Sequence, residues 1–313
     1  MEITMIKYFK GIDFSIKRSD LVLEIGAGSN PYKRSDILID KYPVVIKRHR
    51  SNMKRMNIDE RPFIVADAEK LPFIEKAFDV IICRHVLEHL DNPEHFISEI
   101  KRVGKSSYIE TPSPFTEIVH GGYQSCTDDE YTRKIRGELH HGEGTEGHKW
   151  FVLSADRKLI MLEKSEELYP LYLLIGYFIK HNTNYKKNRF FKKNASWMNT
   201  ICKNYENDYL EVRIYRNQKN HNEEKIDINE LVDFCNQQNE YKKDIKNISK
   251  QILRQKFYSS TKNYNIFDLL ACPICKEQLY KKNTNKLVCN KCGEYPIFNN
   301  IPILLPEAID YRY

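Results

Sequence analysis

The sequence has no apolar run long enough to cross a bilayer. Its longest, Leu168 to Ile179, is twelve residues and is interrupted by Pro170 and Gly176, whereas a spanning helix needs about 20. No secretory leader is expected either, because Met1 to Phe14 alternates apolar with charged positions and lacks an unbroken hydrophobic stretch. A cytoplasmic location is therefore the default expectation. There is no internal repeat. With 41% hydrophobic and 30% charged residues, the chain is too apolar for a disordered polymer and too polar for a membrane protein. At 313 residues it has room for two domains with buried cores, which excludes a small disulfide-stapled scaffold.

Net charge is almost absent from both ends and concentrated in the middle. Residues 1–163 carry −1, residues 263–313 carry +1, and the +7 excess sits in residues 164–262. Such a segment can face nucleic acid, anionic lipid or an acidic substrate, or be a solvated surface of Lys- and Asn-dense composition. Within it, Lys180, Lys186, Lys187, Arg189, Lys192 and Lys193 interleave with Tyr185, Phe190 and Phe191 without one acid. That pattern suits RNA, whose phosphates it neutralises and whose bases it stacks, and equally a helix lying on an anionic membrane surface.

The first 112 residues alternate strands and helices. Leu21 to Ile25, Ile37 to Asp40, Phe63 to Asp67, Phe78 to Cys83 and Ser107 to Thr111 are short apolar runs of the kind that form buried parallel strands. Asn92, Pro93, the apolar stripe Phe96, Ile97, Ile100 and Val103, and Gly104 mark a sheet-covering helix from cap to stop. Residues 113–149 lose periodicity and read as a lid-like insert. Trp150 to Leu162 reads as a hairpin and Tyr209 to Tyr215 as a strand, both expected to complete the sheet. Residues 165–200 read as a helical basic insert and 218–262 as a helical connector.

The first strand ends in Glu24-Ile25-Gly26-Ala27-Gly28, where glycine lets the backbone approach a ligand closely. Pro31 stands where the dinucleotide fingerprint needs a third glycine, which argues against NAD. Asp40 ends the second strand, where its carboxylate can accept both hydroxyls of a ribose, and Asp67 ends the third, within reach of an adenine edge. Three acids in one crevice suit a positively charged nucleoside, because carboxylates repel a pyrophosphate.

Leu23 to Gly28, Asp67 to Phe73, and Phe78 to Ile81 followed by His85 to Leu90 together resemble the class I S-adenosylmethionine-dependent methyltransferases, in particular the type 11 methyltransferase-domain group. The resemblance covers residues 20–115. It implies an α/β fold with a doubly wound, mostly parallel sheet of the seven-stranded, Rossmann-like type, here with a helical insertion. It implies that Glu24, Gly26 and Gly28 surround the methionine moiety of the cofactor, that Asp40 binds its ribose, and that Asp67 with Ala68 binds its adenine. Asn30 replaces the family's third glycine, and the short spacing from Gly28 to Asp40 implies an unusually short first helix. The methyl acceptor is implied beside Arg84, His85, Glu110, Pro112 and Ser113. His85 is the candidate base, because its free pKa lies near neutrality; a hydrogen-bonded structural histidine is the alternative. Glu88 and His89 are expected to orient the following loop. His120, His140, His141 and His148 with the acids of the insert match no compact metal motif.

Cys272-Pro-Ile-Cys275 and Cys289-Asn-Lys-Cys292 are two CxxC pairs that together offer the four sulfur ligands of a tetrahedral structural zinc. Residues 265–310 around them resemble the small zinc-binding activator subunit of tRNA, rRNA and release-factor methyltransferases. The resemblance implies a small α+β domain that acts on its own methyltransferase or recruits another protein. The expected limits are 1–217 for the methyltransferase domain and 263–313 for the zinc domain. Two functions follow as expectations: methyl transfer to a small-molecule or glycan-pathway acceptor, or to tRNA or rRNA. The contrary expectation is a non-catalytic scaffold that holds a partner methyltransferase through the zinc module.

Overall fold

The computed structural model describes residues 3–7, 13–28, 31–43, 59–112, 114, 148–155, 158–164, 199–202, 211–215, 228–229, 232–233 and 258–311. Strands β1 (Ile3–Lys7) and β2 (Asp13–Lys17) pair antiparallel as a small sheet of their own. The five expected strands are present as β3 (Val22–Ile25), β4 (Ile37–Asp40), β5 (Phe63–Ala66), β6 (Phe78–Arg84) and β7 (Gly104–Pro112). They run parallel in the spatial order β5-β4-β3-β6-β7. Their central residues are buried, which is why they read as apolar runs and not as alternating patterns. From β3 the chain builds outward through β4 and β5, then returns to the other side of β3 for β6 and β7. The strand order therefore reverses between β3 and β6, and a ligand crevice forms outside the carboxyl ends at such a point.

Helix α1 (Pro93–Val103) connects β6 to β7 and buries Phe96, Ile97, Ile100 and Val103 against the sheet, stopping at Gly104 as expected. Its Asn92 does not cap the helix through its side chain. The amide nitrogen and backbone N–H of Asn92 both donate to the Glu69 carboxylate instead, because a bond to a charged acceptor is the stronger choice.

Strands β8 (Trp150–Ala155) and β9 (Lys158–Glu163) form the expected hairpin, and β10 (Asn199–Cys202) and β11 (Glu211–Tyr215) follow. The hairpin and β11 do not extend the main sheet as expected. They make a separate three-stranded sheet in the order β11-β9-β8. The reason is that β10 already pairs antiparallel with β7 and closes that edge. The hairpin packs by its side chains instead, burying Trp150, Val152, Leu159 and Met161 in the core that also holds Phe96 and Ile100.

At the other edge, the carboxyl end of the chain enters the sheet. Helix α2 (Ile266–Leu269) precedes β12 (Tyr280–Asn283), β13 (Lys286–Cys289), β14 (Gly293–Phe298) and β15 (Ile301–Leu304). The last four form an antiparallel meander. β15 also pairs parallel with β5, with Ile303 opposite Val65 and Leu304 opposite Ala66. The result is one ten-stranded sheet. The Ile74 N–H donates to the Leu269 carbonyl at 2.9 Å, and the Ala271 N–H to the Pro72 carbonyl at 3.0 Å. Lys276 of the cysteine module reaches Glu99 of α1 at 2.7 Å. Among the described residues, hydrogen bonds therefore join the parts on either side of the expected domain limit at residue 263.

The lid-like insert apart from residues 114 and 148, the basic insert apart from residues 199–200, and most of the connector lie outside the described residues. Of the connector, residues 228–229 and 232–233 are helical, and Ile228 and Val232 are buried with Ile303 and Leu305.

Because the sheet and core are continuous, the two parts of the chain are expected to unfold together. Ile303 is fully buried, so Ile303→Ala removes about 2–5 kcal/mol and lowers a single calorimetric transition by roughly 5–15 °C. Two resolved transitions, with only the smaller one displaced, would contradict this.

Candidate active site

The crevice is shaped first by backbone. Gly26 and Gly28 adopt φ of +68° and +58°, left-handed values that glycine adopts without strain. The N–H groups of Gly26 and Ala27 both donate to the Ile39 carbonyl, at 2.9 and 3.2 Å, which folds the turn over the end of β4. A Cβ at Gly26 would lie 2.2 Å from Val86 Cγ2, so nothing larger than hydrogen fits there.

The three acids at consecutive strand ends are already engaged with backbone and each other's surroundings. Asp40 Oδ2 accepts the Gly28 N–H at 3.1 Å and Oδ1 accepts the Tyr42 N–H at 2.8 Å. Asp67 Oδ1 accepts the Glu69 N–H at 2.8 Å, capping the 3-10 turn Ala68–Lys70. Its Oδ2 pairs with Lys41 at 2.7 Å. Burial alone would lower the pKa of Lys41, but the facing Asp67 outweighs it and holds the ammonium above its ordinary range. Glu24 is 1% exposed; its Oε1 accepts Arg84 at 2.8 Å, and its Oε2 accepts the Ser35 hydroxyl and the Tyr32 N–H, both at 2.7 Å.

Glu24 thus ties the segment after the glycine turn to β3 and β6. That segment, residues 31–36, is a run of turns, so the expected short helix has shrunk away among the described residues. Two buried arginines organise what replaces it. Arg34 pairs with Asp36 at 2.7 Å and donates to the carbonyls of Lys17, Arg18 and Asp20. Arg61 pairs with Asp59 and donates to the carbonyls of Tyr32 and Ser35. Neither arginine was singled out from sequence; the missing helix length between Gly28 and Asp40 was the signal.

Of the residues expected to meet the acceptor, Arg84, His85 and Glu110 lie side by side, while Ser113 lies outside the described residues. His85 has φ +55°, a strained value for a residue other than glycine. Its N–H donates to the Glu110 carbonyl at 2.8 Å. Its ring stands between two carboxylates, with Nδ1 3.3 Å from Glu88 and Nε2 3.4 Å from Glu110. Partial desolvation opposes the charge of this ring, which is 51% exposed, but Glu110 and Glu88 outweigh that and push its pKa up to about 10. The surroundings therefore favour the imidazolium, a donor of hydrogen bonds and not an acceptor of protons. Glu110 also accepts the Tyr108 hydroxyl at 2.6 Å.

The residues expected only to orient a loop do more than that. Glu88 is 1% exposed; burial would raise its pKa, yet the imidazoles of His85, His148 and His89 hold it down at about 2. His148, at the far end of the insert, stacks edge-on against His89 at 4.4 Å between ring centroids. The next two residues fix it there. The Lys149 N–H donates to the Glu88 carbonyl at 2.7 Å, and Trp150 Nε1 to the Leu90 carbonyl at 2.7 Å. Trp150 is a core residue, 1% exposed.

Cys272, Cys275, Cys289 and Cys292 are free thiols whose sulfurs all lie within 4.8 Å of one another, with Cys275 and Cys289 at 3.4 Å. A tetrahedral zinc with bonds of about 2.3 Å needs sulfurs about 3.8 Å apart, so the donor set fits that ion. The crowded thiols ionise unequally: the Glu277 backbone and the neighbouring thiols lower Cys275 to about 7, while contact with Cys275, then burial, pushes Cys292 up to about 12. A bound cation would favour the thiolate form of all four. Tyr295 places its hydroxyl 3.3 Å from Cys272 Sγ, an outer-shell contact that orients the sulfur.

Residues 24–107 match the family model described as "Methyltransferase domain", and residues 263–300 the one described as "Trm112p-like protein". The UPF0434 protein of Nitrosococcus oceani is 46% identical over 44 residues, 13% of this chain and 75% of that protein. The uncharacterized methyltransferase YcgJ of Bacillus subtilis is 30% identical over 91 residues, 27% of this chain and 36% of that protein. The uncharacterized methyltransferase C1B3.06c of Schizosaccharomyces pombe is 26% identical over 140 residues, 40% of this chain and 42% of that protein. The chain thus spans well under half of the methyltransferase relatives it matches. The crystal structure of Bacillus subtilis YcgJ aligns at 20% identity with a TM-score of 0.23, covering 39% of this chain and 52% of that one.

The glycine turn makes a coupled prediction. Gly26→Ala is expected to cost about 1–3 kcal/mol through strain and contact with Val86, and Val86→Ala in the same chain to return part of that loss. Urea denaturation of the two single variants and the double variant measures it; strictly additive losses would contradict the contact.

Proposed function

We propose that this chain, a member of the S-adenosylmethionine-dependent methyltransferases with a Trm112p-like module at its carboxyl end, transfers a methyl group to a small-molecule or glycan-pathway acceptor. The observation that carries the reading is the glycine turn folded over β4 beside Asp40, with Asp67 at the end of the neighbouring strand. A cofactor there meets carboxylates at its ribose and adenine and a backbone free of side chains at its methionine end. That donor set suits a sulfonium nucleoside and disfavours a pyrophosphate. When bound, the cofactor supplies an electrophilic methyl carbon, and transfer is an in-line displacement that depends mainly on positioning.

This chain's residues then have separate tasks. Glu24 holds Arg84 and the turn at residues 32–35 in place around the methionine end. Asp40 and Asp67 orient the nucleoside. Gly26, pressed against Val86, keeps the segment after β6 close to the reacting carbon. His85, as imidazolium, donates to the acceptor or to Glu110 and is not required to remove a proton. The buried carboxylates Glu88 and Glu110 favour a neutral or cationic acceptor over a phosphate-rich one, which weighs against RNA. The basic run Lys180 to Lys193, which supported RNA, lies outside the described residues.

Zinc is proposed at Cys272, Cys275, Cys289 and Cys292 as a structural ion, because four protein ligands leave no open position. The module is proposed to act in cis. β15 is paired on both sides, by β5 and by β14, so it has no free edge with which to recruit a second methyltransferase. That weighs against the scaffold reading.

Calorimetric titration with S-adenosylhomocysteine tests the assignment. Micromolar binding is expected, weakened about 10–100-fold in Asp40→Ala through loss of the bonds from ribose to a charged acceptor, with the variant's folding verified by circular dichroism. No binding to folded wild-type protein, or equal binding by the variant, would overturn it.

A further inference from the structure

We infer a second metal site, distinct from the cysteine cluster, formed by Glu88, His89 and His148 on the acceptor side of the crevice. One ligand atom from each lies within 4.8 Å of the other two. Ligands of one divalent ion at bonds of about 2.0–2.2 Å stand roughly 3–3.5 Å apart, so the three need close by no more than about 1.3–1.8 Å.

The independent observation is Glu88 itself. It is 1% exposed, and neither carboxylate oxygen accepts a hydrogen bond among the described residues. The nearest donors, His85 Nδ1 at 3.3 Å and His148 Nε2 at 4.0 Å, approach Oε1 as ion-pair contacts. A buried carboxylate left in that condition is costly, and a cation is the partner that satisfies it. The chain also spends structure on bringing His148 here. Its neighbour Lys149 donates to the Glu88 backbone and pairs through its side chain with Asp91, and Trp150 is anchored on Leu90. Three consecutive residues returning from the insert are docked on the segment that carries Glu88 and His89.

One carboxylate and two imidazoles are the donor set of an open divalent site, suited to manganese, iron, cobalt or zinc and poorly suited to a closed structural role. The remaining positions face the acceptor side, beside Glu110 and His85. A hydroxyl oxygen occupying one of them loses its proton more readily. The O–CH3 bond then forms as the bond from the methyl carbon to sulfur breaks, the electron pair stays on sulfur, and the proton leaves to water. This points to a hydroxyl as the acceptor group. The chemistry rests on the methyl-transfer reading; the cation site does not.

The test uses the full chain with zinc verified in the cysteine cluster by elemental analysis, titrated with manganese(II) alone and followed by electron paramagnetic resonance and calorimetry. The expected result is one bound equivalent, weakened more than the roughly 10–100-fold that outer-shell partners are worth in His148→Ala, with S-adenosylhomocysteine affinity unchanged in that variant. Glu88→Gln is the companion variant, and His148→Ala serves alone should Glu88→Gln not fold. No manganese equivalent in the wild type, or binding indifferent to His148→Ala, would overturn the site. Uptake of the manganese equivalent by wild-type protein that binds no S-adenosylhomocysteine would instead count against the methyl-transfer reading and leave the cation site standing.

Discussion

The pairing of β15 with β5 is the constraint on which the rest of this structure depends. β5 carries Asp67 and the 3-10 turn Ala68–Lys70 at its carboxyl end, so the side of the crevice proposed to hold adenine stands on what would otherwise be an edge strand. An open edge is a row of unpaired backbone groups and a liability in solution. Here it is closed by a strand from the other end of the chain, braced beneath by contacts from Pro72, Phe73 and Ile74 to residues 269–271. The cysteine cluster sets the start of the meander that delivers β15. Cysteine cluster, meander, β15, β5 and the proposed cofactor crevice therefore form one mechanical series.

Electrostatics divide the crevice into two halves with different logic. On the nucleoside side, acids are neutralised by backbone N–H groups and by Lys41, which fixes them without occupying all their lone pairs. On the acceptor side, Glu24, Glu88 and Glu110 are all nearly buried, and Arg84 and His85 are the cations facing them. Buried charge of one sign in that density calls for counter-charge. Arg84 answers Glu24, His85 is shared between Glu88 and Glu110, and Glu88 remains short of partners. The imbalance is the basis for the proposal that this side of the crevice takes a cation and a hydroxyl in preference to a phosphate.

Much of this was legible in the chain because the signals are local. Buried parallel strands announce themselves as apolar runs such as Val22 to Ile25, the glycine turn follows directly, and each CxxC pair places two sulfurs on one bend. The features that were not legible are those made by distant segments. Nothing in Ile301 to Leu304 says that it pairs with Phe63 to Ala66, since a short apolar strand fits any open edge. His148 reads as one of several histidines in a polar insert until Trp150 and Lys149 are seen to dock on Leu90 and Glu88. The hairpin from Trp150 was foreseen but not its place, because the occupant of the β7 edge, β10, has only four residues and little pattern of its own. Nothing in the sequence marks Arg34 and Arg61 as buried; the turns that stand in place of a helix among the described residues between β3 and β4 give them carbonyls to hold.

The central claim is that the cysteine module is part of the cofactor site's support and not an appendage. The most direct measurement is S-adenosylhomocysteine affinity before and after zinc removal verified by elemental analysis, with readdition of zinc as the control. A loss of affinity together with a lowered melting temperature, both restored by zinc, is the result this structure predicts. Unchanged affinity and unchanged melting in protein shown to be free of zinc would contradict it.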